Sequence, residues 1–304
     1  MISVTILTKD CADTLSATLE SVRAFKEVVI LDGGSTDATL DIARKFANVK
    51  VFMESFAGFG QMHNRACALA SYDWILSLDS DEVLTRQAVE EILSLFSDCN
   101  NPSSYLSPDF SAGLSAERDG SVNESCRVRA QSLGEKKRSH AQGVFCNRTL
   151  ALNPACVYAI ERHNFFNGRR IKGCGGWHPD WVVRLFNRRS TRFTLDKVHE
   201  KVVTEGCAIA RLNHPLLHTP YRTIGDFLTK MQNYSTLFAL QNQKKRPVSL
   251  FQALLHGWFA FFKSYLLKRG FLDGKEGLVI SLYNGHATFY KYLKLSTLAH
   301  EEKR

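Results

Sequence analysis

No C-x-x-C pair occurs among the eight cysteines, Cys11, Cys67, Cys99, Cys126, Cys146, Cys156, Cys174 and Cys207. That scatter argues against a zinc site and suits free thiols in a reducing cytoplasm. The amino terminus, Met1-Ile2-Ser3-Val4-Thr5-Ile6-Leu7, lacks a basic region followed by a long apolar core. It reads as a first strand and not as a signal peptide. No G-x-G-x-x-G follows that strand and no Walker A sequence is present. Both absences disfavour a dinucleotide-binding or P-loop domain. The longest apolar stretch, within Leu250 to Leu267, falls well short of the roughly 20 residues that span a bilayer.

What is present is an ordinary globular composition, 44% hydrophobic and 23% charged over 304 residues. That is enough chain for one large domain or two small ones. The net charge of +9 is unevenly placed. Lys244 to Ser296 carries nine basic residues against Asp273 and Glu276, a net 9 − 2 = +7. A basic carboxyl-terminal region points to an anionic partner. No nucleic-acid-binding motif accompanies the charge, so a membrane surface is expected and nucleic acid is not.

Strands and helices alternate through the first third. Ile2 to Leu7 is an apolar strand ended by Thr8-Lys9-Asp10, and the next helix carries Leu15, Leu19 and Val22 on one stripe. Glu27 to Leu31 is a second strand, followed by Asp32-Gly33-Gly34-Ser35-Thr36-Asp37 and a helix with Leu40, Ala43 and Ala47. Val49 to Met53, Gly60 to Ala70 and Trp74 to Leu78 read as strand, helix and strand. This spacing predicts β-α-β units, a mostly parallel sheet and an α/β fold whose strand-end loops gather along one edge.

The acidic run Asp79-Ser80-Asp81-Glu82 stands at the carboxyl end of the fourth strand. Open α/β sheets bind ligands there. Two aspartates one residue apart can aim at one divalent cation, and hard oxygen ligands favour Mg2+ or Mn2+ holding a diphosphate. The alternative is that the acids only cap the following helix, whose apolar face holds Val89, Ile92, Leu93 and Phe96.

From Ser97 to Asn147 the chain turns polar and loses its periodicity, which reads as an irregular insertion. Order resumes near Val157. Gly173-Cys174-Gly175-Gly176-Trp177-His178-Pro179-Asp180 is a glycine-rich loop ending in a carboxylate. Trp181 to Phe186 follows as a strand or short helix, Val198 to Val202 alternates like a strand, and Leu216-Leu217-His218 closes a short apolar run. Beyond Tyr221 the pattern is helical, first with Phe227, Met231, Tyr234 and Phe238 on one face, then with the aromatic run from Leu250 to Leu267. That run suits a membrane interface. Packing against the sheet or a partner subunit is the alternative. The expected divisions are 1–96, an insertion at 97–150, 151–222 and a helical 223–304.

Taken in order, Thr8-Lys9, Asp32 to Asp37, Gly58-Phe59-Gly60 with Asn64, Leu78 to Glu82, Gly175 to Asp180 with Arg184-Leu185-Phe186, Val198 to Val202, Leu217-His218 and Gly270 to Gly277 resemble the family 2 glycosyltransferases. Within them the set looks most like the bacterial lipopolysaccharide core β-1,4-glucosyltransferases. Asp10-Cys11 departs from the Asn-Glu usual in that family. The resemblance implies a GT-A fold, with a nucleotide-sugar-binding half joined to an acceptor-binding half. It implies inverting transfer of a hexose, glucose foremost, from a nucleotide diphosphate sugar to a lipopolysaccharide inner-core or other glycolipid acceptor. The enzyme would be cytoplasmic and peripheral to the inner membrane.

By position, Asp81 would ligate the metal and Asp79 would contact the ribose or the metal's water shell. His218 would lie near the metal or diphosphate, with His199 competing for that role. Asp32 would accept a hydrogen bond from the nucleotide base. Thr8, Ser35, Asp37 and Arg65 complete the expected nucleotide site. Asp180 is the expected catalytic base and Glu200 the runner-up. A lipid-linked sugar or protein acceptor is the alternative within the family, and a non-catalytic nucleotide-sugar or membrane-binding module lies outside it.

Overall fold

Ile2–Thr8 (β1) is almost wholly buried on both faces, Ser3 and Thr5 included, as befits the central strand of a covered parallel sheet. It pairs in parallel with Glu27–Asp32 (β2) on one side and Trp74–Asp79 (β4) on the other, and Val49–Met53 (β3) adds to β2. The computed structural model describes residues 1–97, 152–195, 200–221, 223–242 and 248–301. The expected insertion beyond Ser97, His199 and the cluster Lys244-Lys245-Arg246 lie outside them.

The remaining strands are Glu82–Leu84 (β5), Cys156–Phe166 (β6), Arg169–Arg170 (β7), Trp181–Asn187 (β8), Ala208–Arg211 (β9) and Leu216–His218 (β10). One sheet runs in the order β3-β2-β1-β4-β8-β6-β10-β5, with β7 and β9 also paired to β6. The chain leaves β1 toward β2 and β3, then returns to β4 on β1's other side. Loops after β1 and β4 therefore diverge, and that switch point is where such sheets open a crevice. Register places Thr8 opposite Asp32 and Leu7 opposite Asp79, so Thr8, Asp32 and Asp79 stand level at the carboxyl edge. Past β4 the sheet turns antiparallel through β8 and β6, bringing residues from late in the chain to the same edge.

Ala12–Ser21 (α1) buries Leu15 and Leu19, as their spacing predicts, and Phe59–Leu69 (α3) buries Met62 and Ala66. Thr39–Ala43 (α2) is shorter than expected: it stops at Ala43, and Ala47 is exposed beyond it. Arg86–Ser97 (α4) packs Ala88, Ile92 and Leu95, with Val89, Leu93 and Phe96 half-buried beside them. Thr85 caps α4, its Oγ1 accepting from the Ala88 N–H at 3.2 Å. The acidic run is thus separated from the helix by β5 and does not cap it.

Gly58-Phe59-Gly60 with Asn64 receives a clamp from the second half. Asn64 Nδ2 donates to Phe193 O at 3.0 Å and Asn64 Oδ1 accepts from Phe193 N at 2.9 Å. A Cβ on Gly60 would lie 2.0 Å from Thr194 O, so only glycine allows this approach. Trp181 to Phe186 resolves as strand, whereas Val202 makes only an isolated bridge to Phe193.

Ile224–Asn242 (α5) buries Phe227, Ser235 and Ala239, and Tyr234 is exposed where the spacing predicts it inside. Leu250–Phe262 (α6) is capped by Ser249 and Gln252 in a reciprocal capping box. A π-helical turn over Lys263–Leu267 and a 3-10 turn over Gly270–Asp273 lead into Gly274–Glu301 (α7). No helix among the described residues is long and apolar enough to cross a membrane.

At the opposite, amino end of the strands, buried Glu27 accepts from Ser3 Oγ, Lys50 Nζ (2.7 Å), Ser71 N (2.8 Å) and Ser71 Oγ (2.6 Å). Burial pushes its pKa up, but these donors, Lys50 foremost, outweigh it and hold the value near 2 against an ordinary 4.5. Its contribution is therefore full above the ordinary value and lost as pH falls toward 2. Glu27→Gln should cost about 2 kcal/mol at neutral pH. Urea denaturation at neutral and acid pH should show that gap closing on acidification, and a gap independent of pH would contradict the account.

Candidate active site

The loops after β1 and β2 are stitched together before any ligand arrives. Asp32 is fully buried, and its carboxylate accepts from Thr8 Oγ1 (2.8 Å), Gly34 N (2.9 Å), Ser35 N (2.8 Å) and Ser35 Oγ (2.5 Å). Burial raises its pKa, yet the hydrogen bonds, led by those from Ser35, prevail and hold it below the ordinary carboxylate value. Gly34 takes φ +91°, a conformation that L side chains rarely adopt. Asp37 binds both neighbours, accepting from Ala12 N and Thr39 N at 3.0 Å each. Asp10 accepts from Thr36 N at 2.7 Å and donates its own N–H to Ser35 Oγ at 2.9 Å. Thr8, Asp32, Ser35 and Asp37 thus form one rigid loop pair at the sheet edge. Arg65 stands apart on α3 in an exposed ion pair, its Nε 2.9 Å from Glu54 Oε2.

Beyond β4 the acidic run meets a chain of polar groups from β6, β8 and β10. Arg184 on β8, buried to 8% exposure, donates through one Nη2 to Asp79 Oδ2 and, at 2.5 Å, to Glu82 Oε1. Arg162 on β6 reaches the same Glu82 oxygen from Nη1 at 3.2 Å. Its Nε donates to Asp180 Oδ2 at 2.8 Å, and Asn164 Nδ2 donates to that oxygen at 2.9 Å. Burial pushes Asp79 up, but Arg184 first, then His63, Arg162 and His218, hold its pKa far below the usual range. Glu82 is fully buried, and that burial raises its pKa against the pull of Arg184 and Arg162.

His218 joins this network through Asn164. The Asn164 amide nitrogen also donates to Trp177 O at 2.8 Å, so its oxygen is the atom facing His218 Nδ1 at 2.6 Å. An amide oxygen only accepts, which puts the proton on Nδ1 and turns Nε2 toward Asp81 Oδ2, 3.5 Å away. Among the described residues no cluster of three or more His, Cys, Asp or Glu is arranged to hold a metal ion. Asp81 and His218 are the two groups that would hold one, since a carboxylate oxygen and an imidazole nitrogen lie 3.5 Å apart and Asn164 Oδ1 fixes the ring by accepting from its other nitrogen.

Glu200 lies elsewhere on the edge. His63 Nε2 approaches its Oε1 at 3.8 Å, while His63 stacks on Phe193 with ring centroids 4.4 Å apart. Burial depresses the His63 pKa to about 4, Asp79 opposing and Arg184 assisting, so the imidazole is neutral at physiological pH. The structure therefore brings Asp79, Asp81, Asp180 and His218 into one network, with Thr8, Asp32, Ser35 and Asp37 on the adjoining loops. Arg65 pairs with Glu54, and Glu200 stands beside His63.

Arg162, Asn164 and the bridging role of Arg184 are the residues that sequence reasoning did not single out. A signal existed for two of them: Glu161-Arg162-His163-Asn164 is a polar run inside the CVYAIERHNFF strand, and alternation puts Arg162 and Asn164 on one face.

Residues 3–112 match the family described as Glycosyl transferase family 2. An uncharacterized glycosyltransferase of Rickettsia felis is 26% identical over 296 residues, spanning 97% of this chain and 89% of that protein. A PGL/p-HBAD biosynthesis glycosyltransferase of Mycobacterium bovis is 37% identical over 93 residues, 28% of this chain and 36% of that protein. The crystal structure of S. aureus TarS 1–349 with UDP-GlcNAc covers 99% of this chain and 91% of that one, at 13% identity and a TM-score of 0.43. Residues 3–112, about a third of the chain, are thus similar to the family 2 glycosyltransferases, and the parallel strands that carry the acidic run belong to that stretch.

Proposed function

We propose that this chain is an inverting hexosyltransferase. It moves glucose from a nucleotide diphosphate sugar, UDP-glucose foremost, to the inner core of lipopolysaccharide or a related glycolipid at the cytoplasmic face of the inner membrane. The observation that carries the reading is the joining of Asp79, Asp81, His218 and Asp180 by Arg184, Arg162 and Asn164 at the sheet's switch point.

The stitched loop of Thr8, Asp32, Ser35 and Asp37 makes a preorganised wall for the nucleoside, and Asp79 is level with it at the sheet edge. Asp81 and His218 would hold Mg2+ or Mn2+, which would neutralise charge gathering on the leaving diphosphate. Asp180 takes both of its donors, Arg162 and Asn164, on Oδ2. Oδ1 then serves as the base that receives the acceptor hydroxyl's proton as that oxygen attacks the anomeric carbon. Two donors on the other oxygen keep the carboxyl plane aimed while the proton arrives.

Glu200 is the second reading for the base, favoured by its position beside a neutral His63 that could share the proton.

A hydrolysis screen with a panel of nucleotide sugars and Mg2+ or Mn2+ tests the proposal. One UDP-hexose should be cleaved well above the others, and Asp81→Asn or excess EDTA should abolish cleavage. Undiminished cleavage in EDTA would remove the metal assignment, and no cleavage of any donor by purified protein would remove the transferase reading.

A further inference from the structure

The inward face of α6 is small and its outward face is large. Ala253 and Gly257 are its fully buried residues. They lie against α7 so closely that a Cβ on Gly257 would be 2.8 Å from Phe289 Cβ, and one on Gly285 3.0 Å from Phe261 Cβ. Outward stand Phe251, Leu254, Leu255, Trp258 and Phe259, at 68, 52, 50, 66 and 55% exposure. Leu266, Leu267, Phe271 and Leu272 extend the exposed apolar surface through the turns that follow. No charged residue falls between Leu250 and Phe262. A contiguous apolar ridge of this size marks a contact surface.

Charge selects what covers it. Lys263, Lys268, Arg269 and Lys275 are exposed on the ridge's own segment. The two acidic residues of that segment are turned inward, Asp273 and Glu276 being 3% and 5% exposed. Asp273 accepts from Lys172 N at 3.0 Å and Gly173 N at 2.7 Å, while Glu276 lies 3.9 Å from Arg169 and 3.8 Å from Lys275. The exposed charge is therefore all positive. A second copy would bring the same positive charge to the same patch, which opposes self-association. An anionic lipid surface answers both features, taking the ridge among its acyl chains and the basic side chains on its phosphates.

We propose that α6 and the two turns after it dock flat on an anionic membrane surface. The segment also carries the loop that leads to Asp180. Cys174 N donates to Lys268 O at 3.1 Å, Ser264 Oγ donates to Cys174 O at 2.9 Å, and Asp273 holds Gly173. Docking thus anchors the acceptor side of the site against the surface that bears a glycolipid acceptor, a consequence that rests on the transferase reading.

Co-sedimentation of the full chain with phosphatidylcholine vesicles, with and without phosphatidylglycerol, tests this. Binding should require the anionic lipid and weaken with salt. Trp258→Glu, on an exposed site that leaves the fold intact, should weaken binding by about tenfold or more through loss of one inserted side chain. Lys263→Glu with Lys275→Glu should remove the preference for anionic lipid. No vesicle binding, or equal binding by Trp258→Glu, overturns the proposal. So does a lipid-free dimer that Trp258→Glu splits, since a second copy would then own the ridge. Donor hydrolysis measured without vesicles reads the transferase separately: a chain that docks but cleaves no donor leaves this proposal standing and removes the other.

Discussion

Asp180→Asn should lower turnover by about 100-fold or more while leaving affinity for the nucleotide sugar near that of the native chain, the range of a general-base contribution. The geometry makes this substitution clean. Arg162 Nε and Asn164 Nδ2 both donate to Oδ2, and an asparagine can keep its oxygen at that position. What it loses is a basic atom at the other position, where an amide nitrogen only donates. Asp180 precedes a strand, β8, and its backbone carbonyl accepts from Arg162 N at 2.7 Å, so no helix depends on its side chain. Stability should change little. Single-turnover kinetics with calorimetric donor titration separates the outcomes. Loss of donor affinity in step with turnover would make Asp180 a binding residue. Near-normal turnover in Asp180→Asn with loss in Glu200→Gln would assign the base to Glu200 beside His63.

The contrast between those two carboxylates shows what was readable from the chain. β1, β2 and β4 were legible because strands buried on both faces are written as short, mostly apolar runs, interrupted in β1 by Ser3 and Thr5 and in β4 by Ser77, and the loops between them carry the glycines and acids that such edges use. Asp79 and Asp81 could be named from their place at the end of the fourth strand, and Asp180 from the glycine-rich loop that it closes together with the family resemblance. Their partners could not. Arg184 meets Asp79 and Glu82 across 105 and 102 residues, and only the antiparallel entry of β8 beside β4 makes that meeting. Helix ends were misjudged where no residue signals a stop, as at Ala43, and an apolar period at Tyr234 did not reveal that Ser235 faces inward. In α6 the periodicity identified a helix but not its orientation. Which side turns in is decided by Gly257 and Gly285 meeting, a fact of packing between two helices.

Arg184→Met should cost about 3–5 kcal/mol at neutral pH, the scale for removing one partner of a buried charge pair. Arg184 holds Asp79 and Glu82 with a single nitrogen, and Glu82 is fully buried. Asp79's share is the smaller one, because its side chain is 39% exposed and water replaces part of the lost interaction. Methionine fills similar volume but leaves Arg162 alone to neutralise Glu82. The pH dependence carries the test. In the native chain Asp79's pKa is depressed, so its contribution is present above the ordinary 3.8 and is lost as pH falls toward the folded value. Glu82's pKa is raised by burial, and without Arg184 it rises further. A carboxyl with a raised folded pKa binds its proton more tightly folded than unfolded, so the variant gains relative stability as pH falls through that value. The gap between native and variant should therefore narrow on going from about pH 7 to about pH 5. Urea denaturation across that range measures it, with Arg184→Lys retaining a charge and recovering part of the loss. A gap that stays constant or widens on acidification would mean that the guanidinium acts by packing, and that the two carboxylates do not depend on it for their charge.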